Sequence, residues 1–453
     1  MFREVEARNF KCFDESGVRV ALAPLTIFVG PNGSGKSSIL DAVSVFAQSA
    51  KPPDQQAAFV WQGKSVELGQ DGELAVNCRR SGSAIVLGIS FSADETVATP
   101  YWKAGLSHFK GRSFGYRVAH VPGTGDWQHE LLFDDTVVAR NEQTTRTDAF
   151  TTRGYDNRLE FPEIAGSTGT PTAVQARIYG KVMLSEELFT PLQELRFGQP
   201  VNQEIAEVLA MIPVVTRYMR DSLYGSVFLI GANRFPQRRP PVAPSEPYTV
   251  GKNGENTLPV LSVLFGKPEH INEAKRIQHW AEIFGLGGLT SGWIGEELLR
   301  AGYRDENAKV NLELEFAGFG SKQILPVITQ LFCAPKGALI LIEEPEISLH
   351  PEAQIWLLAM FADAIRDGKQ IVITTHSQTL LTALPEVAKG HEMTPDQVCI
   401  YHFSREGTQT SATKLEVDKA WYIKGWVPSF SEVESHLLKS WIANVGSRIK
   451  TEP

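Results

Sequence analysis

Apolar and polar residues alternate along residues 2–9 and 17–22, the period of half-buried strands. Leu25-Thr26-Ile27-Phe28-Val29 is instead a near-continuous apolar run between Pro24 and Gly30, which predicts a buried strand. A Gly-rich turn follows, and residues 36–48 then place apolar side chains at helical spacing. Residues 50–83 are looser, with Pro52-Pro53 and several glycines, and Ala84 to Phe91 reads as another strand.

Past residue 95 the pattern changes. Residues 95–175 hold many Gly, Thr and aromatic residues and no long helical period, and residues 184–224 look helical, with Pro191 and Pro213 as breaks or helix starts. Val227 to Ile230 returns to the buried-strand pattern. Helices are predicted at 269–284, Gln323 to Leu331 and Glu352 to Arg366, and strands at Lys309 to Phe316, Ala338 to Ile342 and Gln370 to Ile373. Strands alternating with helices predict an α/β fold, a mostly parallel sheet flanked by helices with a large mixed insertion. The expected division is an N-terminal lobe at 1–94, an insertion at 95–224, a C-terminal lobe at 225–404 and an extension at 405–453. In the extension, the aromatic stretches Trp421 to Trp426 and Phe430 to Trp441 either pack as a helix on the sheet or dock a partner.

The chain has 453 residues, 42% hydrophobic and 21% charged, the balance of a soluble globular protein. At about 150 residues per domain, two to three domains fit. A formal net charge of −8 argues against nucleic acid wrapping the whole surface, though not against a local basic groove. Arg234, Arg238 and Arg239 form the one clear basic cluster, suited to DNA, to a partner surface or to a solvated loop. Cys12, Cys78, Cys333 and Cys399 include no Cys-x-x-Cys pair, and the ten histidines show no zinc-ligand spacing, so reduced structural thiols are expected. The first residues lack a signal-peptide core and no apolar run reaches membrane-span length; a cytoplasmic location with no membrane partner is expected.

Gly30-Pro31-Asn32-Gly33-Ser34-Gly35-Lys36-Ser37 fits G-x-x-x-x-G-K-[ST], after a predicted strand and before a predicted helix. Glycines at these places let the backbone fold back with its N–H groups facing phosphate oxygens. Lys36 adds a fixed charge for the β- and γ-phosphates, Ser37 a hydroxyl for Mg²⁺, and the helix start, which includes Ser38, its positive end. The predicted strand Ala338–Ile342 runs into Glu343-Glu344-Pro345-Glu346. The first acid, Glu343, suits the metal, directly or through water, although most P-loop proteins carry Asp there. The second, Glu344, suits the polarisation of an attacking water. His376 ends the next predicted strand, where by itself it reads as structural; in ABC-type ATPases, which this order of strands resembles, such a residue contacts the γ-phosphate.

The order of Asn9-Phe10-Lys11, Gly30 to Ser37, Gly318-Phe-Gly-Ser-Lys-Gln323, Glu343 to Pro351 and Thr375-His376-Ser377 resembles the ABC-type ATPases of the SMC/RecF/OLD group. It most resembles the OLD-like AAA ATPases of bacterial anti-phage systems. The resemblance spans about residues 1–95 and 225–405. It implies an ABC-type P-loop NTPase that binds ATP and Mg²⁺ and hydrolyses ATP at the interface of two copies. Glu344 and His376 would be catalytic, and Gly318 to Gln323 would be the signature segment capping the γ-phosphate of the opposite copy, with Gly320 and Ser321 as the contacting residues. A helix N-terminus built of small residues suits that task, as it suits an ordinary helix start. Ser348 to Pro351 would be the loop crossing the interface, Gln62 or Gln70 the glutamine of the site, and Lys11 a nucleotide contact. OLD nucleases carry a TOPRIM domain after the ATPase. The residues after Arg405 are too few for one and contain no Asp-x-Asp, so DNA cleavage is expected of a separate effector subunit. A RecF-like ATPase that clamps DNA is the alternative; a transporter subunit fits neither the signature segment nor the Asn9-Phe10-Lys11 start.

Overall fold

A computed structural model describes residues 1–50, 60–69, 72–75, 83–92, 112–124, 126–147, 153–160, 174–178, 203–238, 248–294 and 298–424. Its centre is a six-stranded sheet of order β10-β14-β15-β3-β16-β17. The strands are β3 (Leu25–Val29), β10 (Val227–Ile230), β14 (Leu339–Glu343), β15 (Gln370–Thr375), β16 (Val398–Glu406) and β17 (Gln409–Leu415). β10, β14, β15, β3 and β16 are mutually parallel, and β17 returns antiparallel on β16. Both faces are covered, which is why β3, β14 and β15 read as apolar runs.

Alternate side chains of these strands enter two separate cores. Phe28, Leu339, Leu341, Val372, Tyr401 and Phe403 face one. Ile27, Val29, Ile340, Ile342, Ile371 and Ile400 face the other. The first core is closed by α1 (Lys36–Ser49), by α2 (Gln203–Leu223) and by an eight-stranded antiparallel sheet. That sheet has the order β2-β1-β4-β5-β6-β7-β8-β9. Its strands are β1 (Phe2–Arg8), β2 (Val18–Ala21), β4 (Ile85–Ser92), β5 (Ser113–His120), β6 (Trp127–Phe133), β7 (Thr136–Thr147), β8 (Arg153–Glu160) and β9 (Val174–Ile178). The second core is closed by α3 (Thr257–Gly266), α4 (Ile271–Ile283), α5 (Phe319–Cys333), α6 (Pro351–Arg366) and α7 (Gln378–Gly390). The three-stranded sheet β11 (Gly287–Ile294), β12 (Leu298–Asp305) and β13 (Val310–Glu313) packs there as well.

The parallel sheet flanked by helices matches the expected α/β class. Elsewhere the structure adds to the sequence reading. Strands β5 to β9 fall inside the expected insertion and extend the edge of β4 through the β4–β5 pairing. β16 runs across the expected boundary at residue 404 and pairs with β17. The strand expected over 309–316 is shorter, because Leu314–Phe316 close into a 3-10 turn. Pro213 lies inside α2 instead of breaking it; the burial of Ile212, Val215 and Met219 on one side outweighs the lost hydrogen bond. Residues 184–202, Gln70, Cys78, Arg239 and the aromatic stretch from 425 onward lie outside the described residues. Among the described residues no helix is long and apolar enough to cross a membrane.

Two contacts lock the layers together. Gln370 is buried at the start of β15. Its Oε1 accepts from Phe2 N–H at 2.7 Å and its Nε2 donates to Phe2 O at 2.9 Å, tying the start of β1 in the antiparallel sheet to the parallel one. Phe28, fully buried, meets Phe403 and Tyr401 edge-on, with ring centroids 5.1 and 6.0 Å apart. Phe28→Ala removes this aromatic centre directly beneath the P-loop and should cost about 3–5 kcal/mol in denaturant unfolding.

Candidate nucleotide site

The C-terminal ends of β14, β15 and β3 lie side by side, with Glu343 opposite Thr374 and Thr375 opposite Val29. Each strand therefore delivers its first polar residues to the same edge, where ligands bind in open α/β sheets. The turn after β3 has positive φ at Gly30 (144°), Gly33 (73°) and Gly35 (99°). A Cβ on Gly30 would collide with the Phe403 carbonyl, and one on Gly35 would lie 2.6 Å from Cys12 Sγ, so glycine is required at both. Gly35 is also the N-cap of α1 and offers no side-chain cap, leaving the first-turn N–H groups directed at the loop. Pro31, Asn32, Gly33 and Ser37 are exposed at the mouth, and Ser34 and Lys36 are buried beneath it. Among the described residues the buried Ser34 Oγ has no hydrogen-bond partner, and its hydroxyl is free to donate to an oxyanion.

Lys36 donates from Nζ to Gly30 O at 2.9 Å and Pro31 O at 3.0 Å, and stands 3.1 Å from His376 Nε2. Burial lowers its pKa, opposed by the nearby carboxylates of Glu344 and Glu346. The lysine thus sits folded onto its own loop, on acceptors that phosphate oxygens can replace. His376 Nε2 also lies 3.6 Å from Glu344 Oε1. Burial, and then the charge of Lys36, push the histidine pKa down. Because Lys36 can only donate, Nε2 must accept, which fixes a neutral ring with its proton on Nδ1. The 3.6 Å approach of Glu344 is accordingly a contact with a neutral ring and not an ion pair.

Glu344 takes a positive φ of 43°, held there by its N–H, which donates to Thr374 O at 2.9 Å. Glu346, a third acid of the same run, organises the histidine. Its Oε1 accepts from Thr375 Oγ1 at 2.6 Å and from His376 N–H at 2.8 Å. Sequence reasoning missed that role, although the acid stands in plain view two residues after Glu344. Glu343 is half-buried at the end of β14, and no hydrogen bond engages its carboxylate or the Ser37 hydroxyl among the described residues. Both are hard oxygen donors of the kind Mg²⁺ takes, one or two from protein beside several waters.

The remaining expected site residues have partners of their own. Lys11 is ion-paired with Asp41 of α1, which braces the N-terminal turn against the helix that follows the glycine loop. Gln62 is exposed and bridges to Glu67. Ser38 lies beside Cys12, Oγ to Sγ 3.5 Å. Gly320 and Ser321 are in the first turn of α5, whose N-cap Gly318 carries no side-chain cap. A Cβ on Gly320 would strike Ser348 O, so α5 sits directly against the 348–351 loop, where Ser348 has φ 62°. Ser321 Oγ donates to Phe284 O at 2.9 Å.

Of the expected basic cluster, Arg239 lies outside the described residues and the other two members are engaged within the fold. Arg234 is fully buried. Its guanidinium donates to the carbonyls of Gln323, Gly231, Glu343, Glu344 and Pro345 at 2.9–3.3 Å. Burial lowers its pKa to about 10, against the pull of Glu346, Glu343 and Glu344. Arg238 is paired with Glu315 at 2.8 Å and Glu313 at 3.7 Å. The guanidinium of Arg234 is therefore a structural pin joining α5 to the acidic turn, a role invisible in sequence because its partners lie about a hundred residues away.

Two outcomes follow for this site. Arg234→Ala should destabilise the fold by roughly 3 kcal/mol or more, because several buried carbonyls lose their donor; equilibrium denaturation measures it. In an NMR titration His376 should have a midpoint below the ordinary 6.5. It is neutral above that midpoint and protonated below it. Lys36→Met removes a cation that opposes protonation and should move the midpoint up.

The sequence model of the AAA ATPase domain matches residues 1–158 and 254–381, more than half of the chain. No curated protein matches it in sequence. Among solved structures it is similar to the SMC head domain from Thermotoga maritima, at 10% identity over 92% of this chain and 99% of that one, TM-score 0.39. It is also similar to an Smc head bound to the C-winged helix domain of ScpA, at 14% identity, 92% and 99% coverage and TM-score 0.45. A third is an Smc head domain with an extended coiled coil bound to the C-terminal domain of ScpA derived from Pyrococcus furiosus, at 13%, 92%, 97% and 0.42. With a glycine-rich phosphate loop, an acidic strand end and a histidine assembled at one sheet edge, and a matching domain model over most of its length, the chain belongs to the AAA ATPase domain family.

Proposed function

We propose that this chain binds ATP with Mg²⁺ on Gly30–Ser38 and hydrolyses it at a site completed by a second copy. The observation that carries the reading is the convergence of Lys36 and Glu344 on His376 Nε2, at 3.1 and 3.6 Å, from the segments that follow three adjacent strands.

Phosphate oxygens would take Lys36 from the carbonyls of Gly30 and Pro31, and the loop N–H groups with the start of α1 would hold the β-phosphate. Ser37 and Glu343 would hold Mg²⁺, which when bound supplies charge neutralisation across the β- and γ-oxygens. Glu344, about a third exposed and fixed through its backbone by Thr374, would orient and polarise the attacking water. Departure of Lys36 frees His376 Nε2. A phosphate anion beside the ring raises its pKa and so favours an N–H that can donate to the γ-phosphate.

The second copy would contribute the α5 tip. In support, the uncapped first turn of α5 is flanked by Phe316 and Phe319, 72% and 56% exposed, apolar surface that dimerisation would bury. Since the γ-phosphate would be gripped from both sides only in the closed pair, ATP would favour that pair and hydrolysis would release it. The wider role we propose is a nucleotide-controlled sensor or scaffold in anti-phage defence, acting with a separate effector nuclease; this rests on the motif order. The burial of Arg234 and the pairing of Arg238 withdraw two of the three arginines that a DNA-clamping role would draw on.

Glu344→Gln should cut the turnover rate by roughly 10²–10⁴-fold while ATP still binds, and should raise the dimer fraction seen in size-exclusion chromatography with ATP. Normal turnover in that variant would reject Glu344 as the base. Lys36→Ala should abolish ATP binding measured by calorimetry, and unchanged affinity would reject the loop as the phosphate site.

A further inference from the structure

We infer that Arg405 is a second cation of the nucleotide site, reaching the α-phosphate of a bound nucleoside di- or triphosphate. The inference rests on the nucleotide-binding reading of Gly30–Ser38 and adds to it a residue from a part of the chain that no motif marks.

The hairpin β16–β17 forms one wall of the phosphate loop. β16 runs parallel to β3 with His402 opposite Val29, so Arg405 stands beyond the end of β3, level with the loop. The packing is tight: the Phe403 carbonyl blocks any Cβ on Gly30, and Thr410 Cγ2 lies 3.1 Å from where a Cβ of Gly35 would be. From this wall Arg405 Nη1 reaches across to donate to Gly33 O at 3.4 Å. Among the described residues it is the only cation besides Lys36 with a hydrogen bond to the loop, and no carboxylate is paired with it. Around Gly33 itself there is open space. A long guanidinium with one weak bond and several unused donors, lying over a loop built to hold anions, is set to close on a phosphate.

The sheet order says which phosphate. Glu344 and His376 end β14 and β15, on one side of β3; β16 is on the other. A triphosphate whose γ end meets Glu344 and His376 must run its α-phosphate and nucleoside toward β16. Arg405 therefore serves the end of the ligand that ATP and ADP share.

Calorimetric titration of the full chain with ADP and with ATP tests this. Arg405→Ala should weaken both nucleotides by the same factor, roughly tenfold, with the thermal midpoint unchanged because the side chain is exposed. Arg405→Gln keeps a donor for Gly33 O and drops the charge. It should bind as weakly as the alanine variant, and Arg405→Lys should lie between it and the unsubstituted chain. Normal ADP affinity in Arg405→Ala, or a loss confined to ATP, would overturn the inference. Normal affinity in Arg405→Gln would also overturn it, by making the residue a mere tether of the loop. If the unsubstituted chain binds neither nucleotide, the nucleotide reading itself fails, an outcome distinct from these.

Discussion

A sheet covered on both faces can show charge only where its strands end, and the rest of this structure depends on that constraint. β3, β14 and β15 are buried along their length, one face against α1 and the antiparallel sheet and the other against the helices that follow. Lys36, Glu343, Glu344 and His376 all appear within a few residues of the point where apolar cover stops. The parallel register sets those stopping points level, so Glu343, Glu344 and His376 meet at the strand ends and only Lys36 is returned to them by its loop.

Opposite charges face one another along the edge so formed. Lys36 donates to loop carbonyls in the field of Glu344 and Glu346; His376 is held toward its neutral form because it is partly buried beside that cation. Arg234 sits behind the acidic turn and takes up the carbonyls of Glu343, Glu344 and Pro345. It also holds Gln323 O of α5. The tip of α5 and the acidic turn are thus fixed to one another by a single buried guanidinium. Any movement of one is felt by the other at the cost of buried hydrogen bonds.

What the sequence revealed was what is local in it. The loop from Gly30 to Ser37 dictates its own shape through glycine positions. The runs at Leu25, Leu339 and Gln370 reveal themselves because burial on both faces leaves no polar alternation to confuse them. What escaped were partnerships across long separations. β11 and β12 are glycine-containing strands with weak patterns of their own, and they exist through each other and the core they cover. β16 and β17 were hidden behind a motif that ends at His376. The three arginines looked alike in sequence, yet Arg234 is buried among carbonyls while Arg238 pairs with acids on a neighbouring strand and turn. Pro213 and Pro326 lie within helices, held there by packing that no local rule anticipates.

Hydrogen–deuterium exchange compared between ATP-loaded and ADP-loaded full-length Glu344→Gln protein probes the central idea most directly. The closed-pair mechanism requires protection of residues 30–38 by both nucleotides, and of residues 318–323 by ATP alone, growing with protein concentration. Exchange at 318–323 that is blind to the nucleotide, or independent of concentration, would mean that no second copy seals the phosphate.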